Sequence, residues 1–426
     1  MQRFQGVLGI LVLFTIAWLL STDKKEIRWR TIAWGLGLQF IFALIILKTY
    51  PGQWIFAKFN DIVIAILSCS DQGAQFVFGN LINKFLPVGN VGASGQFVQT
   101  DGGLVVDAGT AFFAFKVLPT IIFFSALMTI LYHYGIMQKV VLALAKIMAK
   151  TMKTSGAESL SASANIFVGQ TEAPLVVKPY VGKMTKSELN AIMVGGFATI
   201  AGGVMAAYVG LLKDLIPNIA GHLMSASIMS APAGLAFAKL IVPETEEPLT
   251  RGQVKLKVEK IDSNGIDAAA RGATDGLRLA LNVGAVLIAF IGLITLVNIL
   301  LGLFWKDLTL TWIFSKSLAP LAWVMGVPWA DCAKFGDILG TQVTINEFVA
   351  YLKLHDYTPL MSQRAAIMGT YAMCGFANFS SIGIQLGGIG GIAPERRSDL
   401  ARIALRALVA GAFASWSTCC IAGILI

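Results

Sequence analysis

The sequence predicts an all-α polytopic membrane protein, and three observations predict it. Of 426 residues, 56% are hydrophobic and only 13% are charged, about half the charged share of an ordinary soluble domain. Apolar surface on that scale exceeds what one soluble core can hide, so lipid has to act as solvent. Many apolar runs reach the roughly 18 to 20 residues with which a helix crosses about 30 Å of hydrocarbon, and they lack the strict alternation of a membrane β-barrel. The net charge of +9 is not a nucleic-acid signature, because the basic residues gather in short segments between apolar runs, as the positive-inside rule requires. No nucleic-acid partner is expected.

Eight segments are expected to cross: 4–21, 31–47, 112–132, 188–212, 219–242, 277–303, 364–386 and 401–426. The first follows Arg3 as a secretory leader would. No small-x-small cleavage site follows it, however, and Lys24, Lys25, Arg28 and Arg30 should hold its far end inside, so it is read as an uncleaved helix. An even number of crossings puts both termini on one side. With both outside, the inside segments (the four residues just named, 139–186, 251–271, and Arg396 to Arg406) collect most of the Lys and Arg. The expected location is the bacterial cytoplasmic (inner) membrane.

Between the crossings, residues 137–153 place Val140, Val141, Leu144, Ile147 and Met148 opposite Lys139, Lys146, Lys150 and Lys153, which suits a helix in the inner interface beside anionic lipid. A similar stretch at 54–86 is expected on or in the outer interface. Residues 87–109 are Gly-rich without the Gly-Lys-Ser/Thr ending of a phosphate loop, so a flexible connection is expected there. Residues 244–262 read as a solvated cytoplasmic loop. Two segments, 159–180 and 336–353, are too polar and broken for ordinary crossings. Amides, hydroxyls and one carboxylate between apolar flanks suit re-entrant hairpins buried in protein.

The order of elements then repeats. Residues 1–110 form an amino-terminal scaffold with its interfacial segment, 111–242 a first repeat, 243–276 a cytoplasmic loop and 277–426 a second repeat. The string Gly196-Phe197-Ala198 returns as Gly375-Phe376-Ala377, 179 residues later, and the hairpin carboxylates Glu172 and Glu347 are 175 residues apart. By charge count the hairpins enter from opposite sides, which makes the repeat inverted.

Carboxylates at membrane depth cost at least a few kcal/mol and usually face a wet cavity with a partner, which singles out Glu172 and Glu347. Gln170, Thr171 and Glu172 are successive and share one face only if the backbone is unwound, an interruption that Pro174 favours. Asn378 and Ser381 are three apart, on one helical face within reach of Glu347, with Phe376 beside them. Such a set suits a neutral, hydroxyl-rich ring compound, whereas a dianion would be repelled by the two carboxylates. The five cysteines have no metal-ligand spacing and read as packing residues, and His133, His222 and His355 are scattered. There is no HExxH and no His near a candidate Ser or Cys, so an enzyme is not expected.

The strings SASANIFVGQTEAP, ATIAGGV, TINEFVAY and CGFANFSSI resemble the signatures of the concentrative nucleoside transporters, in the same order over nearly the whole chain. That resemblance implies eight crossings, two re-entrant hairpins, an inverted repeat and a homotrimer. It implies that Gln170, Thr171, Glu172, Val204 and Phe376 face the nucleobase, and that Glu347, Asn378 and Ser381 hold the ribose of a nucleoside such as uridine. It further implies a sodium site of the Asn165 and Thr199 side chains with the Val168 and Ile200 carbonyls. Sodium would be the coupling ion and no cofactor is implied; a proton-coupled symporter is the alternative reading, and a channel a more distant one.

Overall fold

The computed structural model of the protein describes residues 2–83, 85–87, 89–91, 97–99, 105–107, 113–252 and 262–426. Three helices open the chain: α1 (Gln2–Leu19), α2 (Trp29–Lys48) and α3 (Tyr50–Phe78). The turn between α2 and α3 is a single residue, Thr49, whose hydroxyl accepts the Gly52 N–H at 3.1 Å while a proline starts the next helix. Four three-residue strands follow, Phe85–Pro87 paired with Val105–Asp107 and Gly89–Val91 with Phe97–Gln99, both antiparallel. The expected flexible connection at 87–109 is thus partly strand, and its other residues lie outside those described.

The order α4 (Leu118–His133), α5 (Ile136–Met152), a broken hairpin, a broken helix and a long helix then occurs. The hairpin consists of α6 (Gly156–Ala164), a stretch without regular helix at 165–172, a 3-10 turn at Ala173–Val177 and α7 (Lys178–Val181). The broken helix is α8 (Lys186–Ala198) and α9 (Gly202–Leu212), and the long helix is α10 (Ile219–Ile241). The order recurs as α11 (Gly265–Gly302), the short α12 (Leu310–Ser317) and α13 (Ala319–Val324), a hairpin of α14 (Trp329–Thr344) and α15 (Glu347–Tyr357), a broken helix of α16 (Gln363–Ala372) and α17 (Phe379–Ile392), and α18 (Arg397–Leu425).

Among the described residues, seven helical stretches are long and apolar enough to cross a membrane by length and composition. Of the expected eight, 4–21 is not among them, its apolar helix Arg3–Leu19 being shorter, and there are three further differences. Tyr50–Ile82 qualifies by length and composition, whereas the amphipathic stretch 54–86 was expected on or in the outer interface. The expected crossings 188–212 and 364–386 are each interrupted, at 199–201 and 373–378, which apolar content alone did not reveal. Residues 265–276, assigned to a loop, continue α11 without a break.

Small residues set the closest packing. At Gly272 and Gly276 of α11 a Cβ would come within 2.7 Å of the Ala126 and Ile122 backbone of α4, so this pair four apart lets the two helices touch along their main chains. Helix α5 buries Met137, Val141, Ala145, Met148 and Met152 and leaves its lysines exposed; of the expected apolar face Val141 and Met148 are buried, whereas Val140 and Ile147 are exposed. The core lies where α8, α10 and the second half of α18 meet; these are buried on nearly every side. Gln39 of α2 donates into it, to Ser417 at 3.0 Å and Thr418 at 2.7 Å.

Buried charge braces each hairpin. Lys239, at the end of α10, lies 2.7 Å from Glu158 of α6 and 3.0 Å from Glu244, and donates to Ser187 at 2.9 Å. Glu158 also completes the capping box that starts α6. Glu244 was expected in a solvated loop; pairing with Lys239 and the Thr185 hydroxyl draws it inside, while residues 253–261 of that segment lie outside those described. In the second hairpin, Lys353 reaches both oxygens of the buried Asp337 at 2.8 and 2.9 Å, and Tyr357 donates to the same carboxylate. Four cysteines are buried and Cys69 is exposed, in keeping with a packing role for most of them. His222 pairs with the Tyr371 hydroxyl at 2.9 Å.

Candidate functional site

Both hairpins are broken where the sequence is most polar. In the first, residues 165–172 carry Asn165, Gln170, Thr171 and Glu172 outside any regular helix, which is what lets neighbouring side chains converge. In the second, α15 starts at Glu347 because Asn346 caps it, its side chain accepting the Val349 N–H at 2.8 Å. The helix α17 starts in the same way. Asn378 accepts the Ser381 N–H at 2.8 Å through Oδ1, and this cap fixes the amide so that Nδ2 points at Glu347.

The result is a chain of buried polar groups. Asn378 donates to Glu347 Oε2 at 2.8 Å, and the Tyr208 hydroxyl donates to Oε1 at 3.1 Å. On the other side, Gln170 donates to the Ser381 hydroxyl at 3.1 Å, and Gln385 donates to Gln170 Oε1 at 3.0 Å. Thr171 lies against α17, where a Cβ on Gly388 would be 3.1 Å from its methyl group. Thus the tip of the first hairpin, the broken helices α8–α9 and α16–α17, and the start of α15 meet at one place. A carboxylate, three amides and three hydroxyls there can donate to and accept from a neutral polar ring compound.

Five of the eight residues expected to hold substrate are joined directly or through a neighbour by these contacts: Gln170, Thr171, Glu347, Asn378 and Ser381. Val204 and Phe376 are buried, Val204 in the first turn of α9, one turn before Tyr208, and Phe376 in the break before Asn378. Glu172 differs. It is exposed, with its carboxylate folded back over Gly169 rather than drawn into the buried chain. Two members of the chain were not anticipated, Tyr208 and Gln385. Each had a signal: Tyr208 is four residues after Val204 and Gln385 four after Ser381, positions that share a helical face. Tyr208 also stacks on Tyr351, with ring centroids 4.0 Å apart.

The expected ion ligands lie on adjoining backbone. The Gly202 N–H donates to the Phe167 carbonyl at 3.0 Å, which ties the unwound hairpin to the break in α8–α9. Asn165 donates from Nδ2 to the Ser161 carbonyl at 3.1 Å, while its Oδ1 is buried with no partner among the described residues. Thr199 donates to the Gly195 carbonyl at 2.9 Å and so keeps its oxygen lone pairs. Val168 is half-buried and Ile200 is buried. Neutral oxygens of this kind suit a hard monovalent cation; no cluster of three or more His, Cys, Asp or Glu able to hold a metal occurs among the described residues.

Comparison with known proteins agrees with this geometry. Family profiles described as the Na+ dependent nucleoside transporter N-terminus, nucleoside recognition, and the Na+ dependent nucleoside transporter C-terminus match residues 8–81, 114–215 and 222–423. An uncharacterized transporter of Haemophilus influenzae is 44% identical over the whole chain and 98% of its own length. The chain belongs to the concentrative nucleoside transporter family. Mouse sodium/nucleoside cotransporter 1 is 40% identical, and the chain spans 64% of that longer protein. Among solved structures, CNTnw in an inward-facing substrate-bound state is 40% identical, with a TM-score of 0.88 over the whole of this chain and 98% of that one. An outward-facing variant of CNTnw aligns with a TM-score of 0.86 over the same shares. The relatives of this concentrative nucleoside transporter are carriers and not enzymes.

Proposed function

We propose that this transporter brings nucleosides such as uridine into the cell by symport with sodium, working as a homotrimer in the bacterial inner membrane by alternating access. The observation that carries the substrate reading is the buried Glu347, whose two oxygens take side-chain hydrogen bonds from Asn378 and Tyr208. A carboxylate offers about four acceptor positions, so these side chains leave it able to accept from ribose hydroxyls as well. Gln170, Thr171 and Ser381 face the base in this reading, with Val204 and Phe376 as its apolar walls. Exposed Glu172 stands at the approach to the site and contacts the base once substrate closes the hairpin tip over it. The two hairpins and broken helices are the moving unit, carried by the amino-terminal scaffold.

Calorimetric titration of the purified protein tests the ribose assignment. Uridine should bind and uracil should bind at least about tenfold more weakly, since it lacks the hydroxyls that Glu347 accepts from. Equal binding of the two would remove that assignment.

Sodium is favoured as the coupling ion by the buried Asn165 Oδ1, unpartnered among the described residues, with the Asn165 amide close to Gly195, whose carbonyl Thr199 reaches. Asn165→Ala and Thr199→Ala should each raise the sodium concentration for half-maximal uptake by about tenfold, the loss of one charge-assisted contact. Nucleoside affinity should weaken in parallel at a fixed sodium concentration, because linkage is reciprocal. Wild-type sodium dependence in both variants would mean that the ion binds elsewhere, and uptake driven by a pH gradient alone would support coupling to protons.

A further inference from the structure

We infer that Gln385 is a positioning residue that sets which face of the Gln170 amide, donor or acceptor, is offered to the nucleobase. The inference rests on the proposed assignment of Gln170 to the base and goes beyond it to the choice between bases.

The polarity is fixed by a backbone carbonyl. Gln385 Nε2 lies 3.1 Å from the Met193 carbonyl, a group that can only accept, so the nitrogen and not the oxygen of the Gln385 amide has to face it. The same NH2 group lies 3.0 Å from Gln170. Two N–H groups cannot face each other, so Gln170 has to turn its Oε1 toward Gln385 and its Nε2 toward Ser381 and the substrate. Ser381 could not impose this choice, since a hydroxyl serves as donor or acceptor. Gln385 is fully buried, and its own Oε1 has no partner among the described residues, so its nitrogen alone anchors the arrangement. Gly196 leaves room for it: a Cβ there would be 2.7 Å from Gln385 Nε2 and 2.8 Å from Gln170 Cβ.

The consequence is chemical. With Oε1 occupied, Gln170 offers N–H and favours an acceptor. On a pyrimidine nucleoside the atoms opposite the sugar-bearing N1 are those at positions 3 and 4, and uridine presents a carbonyl oxygen at position 4 where cytidine presents an amino group. Wild-type protein should therefore favour uridine over cytidine by about tenfold in kcat/KM, the usual cost of a mismatched buried polar group.

The test measures uptake of both nucleosides by purified protein in liposomes. Gln385→Met, similar in shape but unable to donate, frees Gln170 to turn, and the uridine to cytidine ratio should fall toward one, with the change in KM. Gln385→Glu, which accepts where Gln385 donates, should turn Gln170 around and favour cytidine. Gly196→Ala keeps both amide groups but pushes them apart and should also lower the ratio, which provides a second route where Gln385→Met fails to fold. In a Gln170→Met background, none of these substitutions should alter the ratio further. A merely structural role for Gln385 would lower kcat for both nucleosides alike, and an unchanged ratio in the folded variants overturns the inference. Transport of neither nucleoside by the wild type would instead defeat the proposed function itself.

Discussion

Glu347→Gln should weaken uridine binding about ten- to a hundredfold while leaving the protein folded and inserted. Hydrogen bonds to an ionised acceptor contribute about 1.5–3 kcal/mol, which corresponds to that range. The neutral amide also loses one of its present partners. Asn378 and Tyr208 donate to the two separate oxygens of Glu347, and an amide at that position has only one oxygen, so one donor would face an NH2 group. Calorimetry on the purified variant, with its elution volume as the check on folding, measures the effect. Tyr208→Phe removes a donor and keeps the charge, so it should cost distinctly less. Wild-type affinity in Glu347→Gln would show that the carboxylate does not contact the sugar.

Lys239→Met should be the most destabilising single change among the charged residues discussed here. Lys239 neutralises two buried carboxylates, Glu158 and Glu244, that begin the first hairpin and end the segment after α10. Removing the cation leaves both uncompensated, a loss of about 3–5 kcal/mol for a broken buried pair. Thermal unfolding in detergent should show Tm lowered by on the order of 10 °C. Restoring neutrality with Glu158→Gln and Glu244→Gln in the same protein should recover much of the loss. A Tm equal to the wild type in Lys239→Met would mean that water already reaches the cluster.

The sequence made some levels of this molecule legible and hid others for physical reasons. Apolar length identified most of the long apolar helices because it measures transfer to lipid, and the polar segments 159–180 and 336–353 coincide with the breaks in helix at 165–172 and 345–346. Length says nothing about a break inside an apolar run, so the interruptions at 199–201 and 373–378 went unseen, although the GFA strings lie at both. The candidate site was read from clusters of polar residues close in sequence, and Gln170, Asn378 and Ser381 do come together in the fold. Tyr208 and Gln385 lie alone among apolar neighbours and become visible only when helices from distant segments are brought together. Glu172, next to Gln170 in sequence, is exposed while Gln170 is buried, because outside a regular helix successive side chains need not point the same way. Glu244 shows how a charged stretch can be drawn inward by one buried lysine.

Uptake of labelled uridine into liposomes containing only the purified protein tests the central claim most directly. An inward sodium gradient should drive accumulation above the external concentration, saturably and with competition from other nucleosides, and collapse of the sodium gradient should abolish it. Accumulation driven by a pH gradient with no sodium present would contradict sodium coupling, and uridine entry that never exceeds equilibration under either gradient would contradict symport altogether.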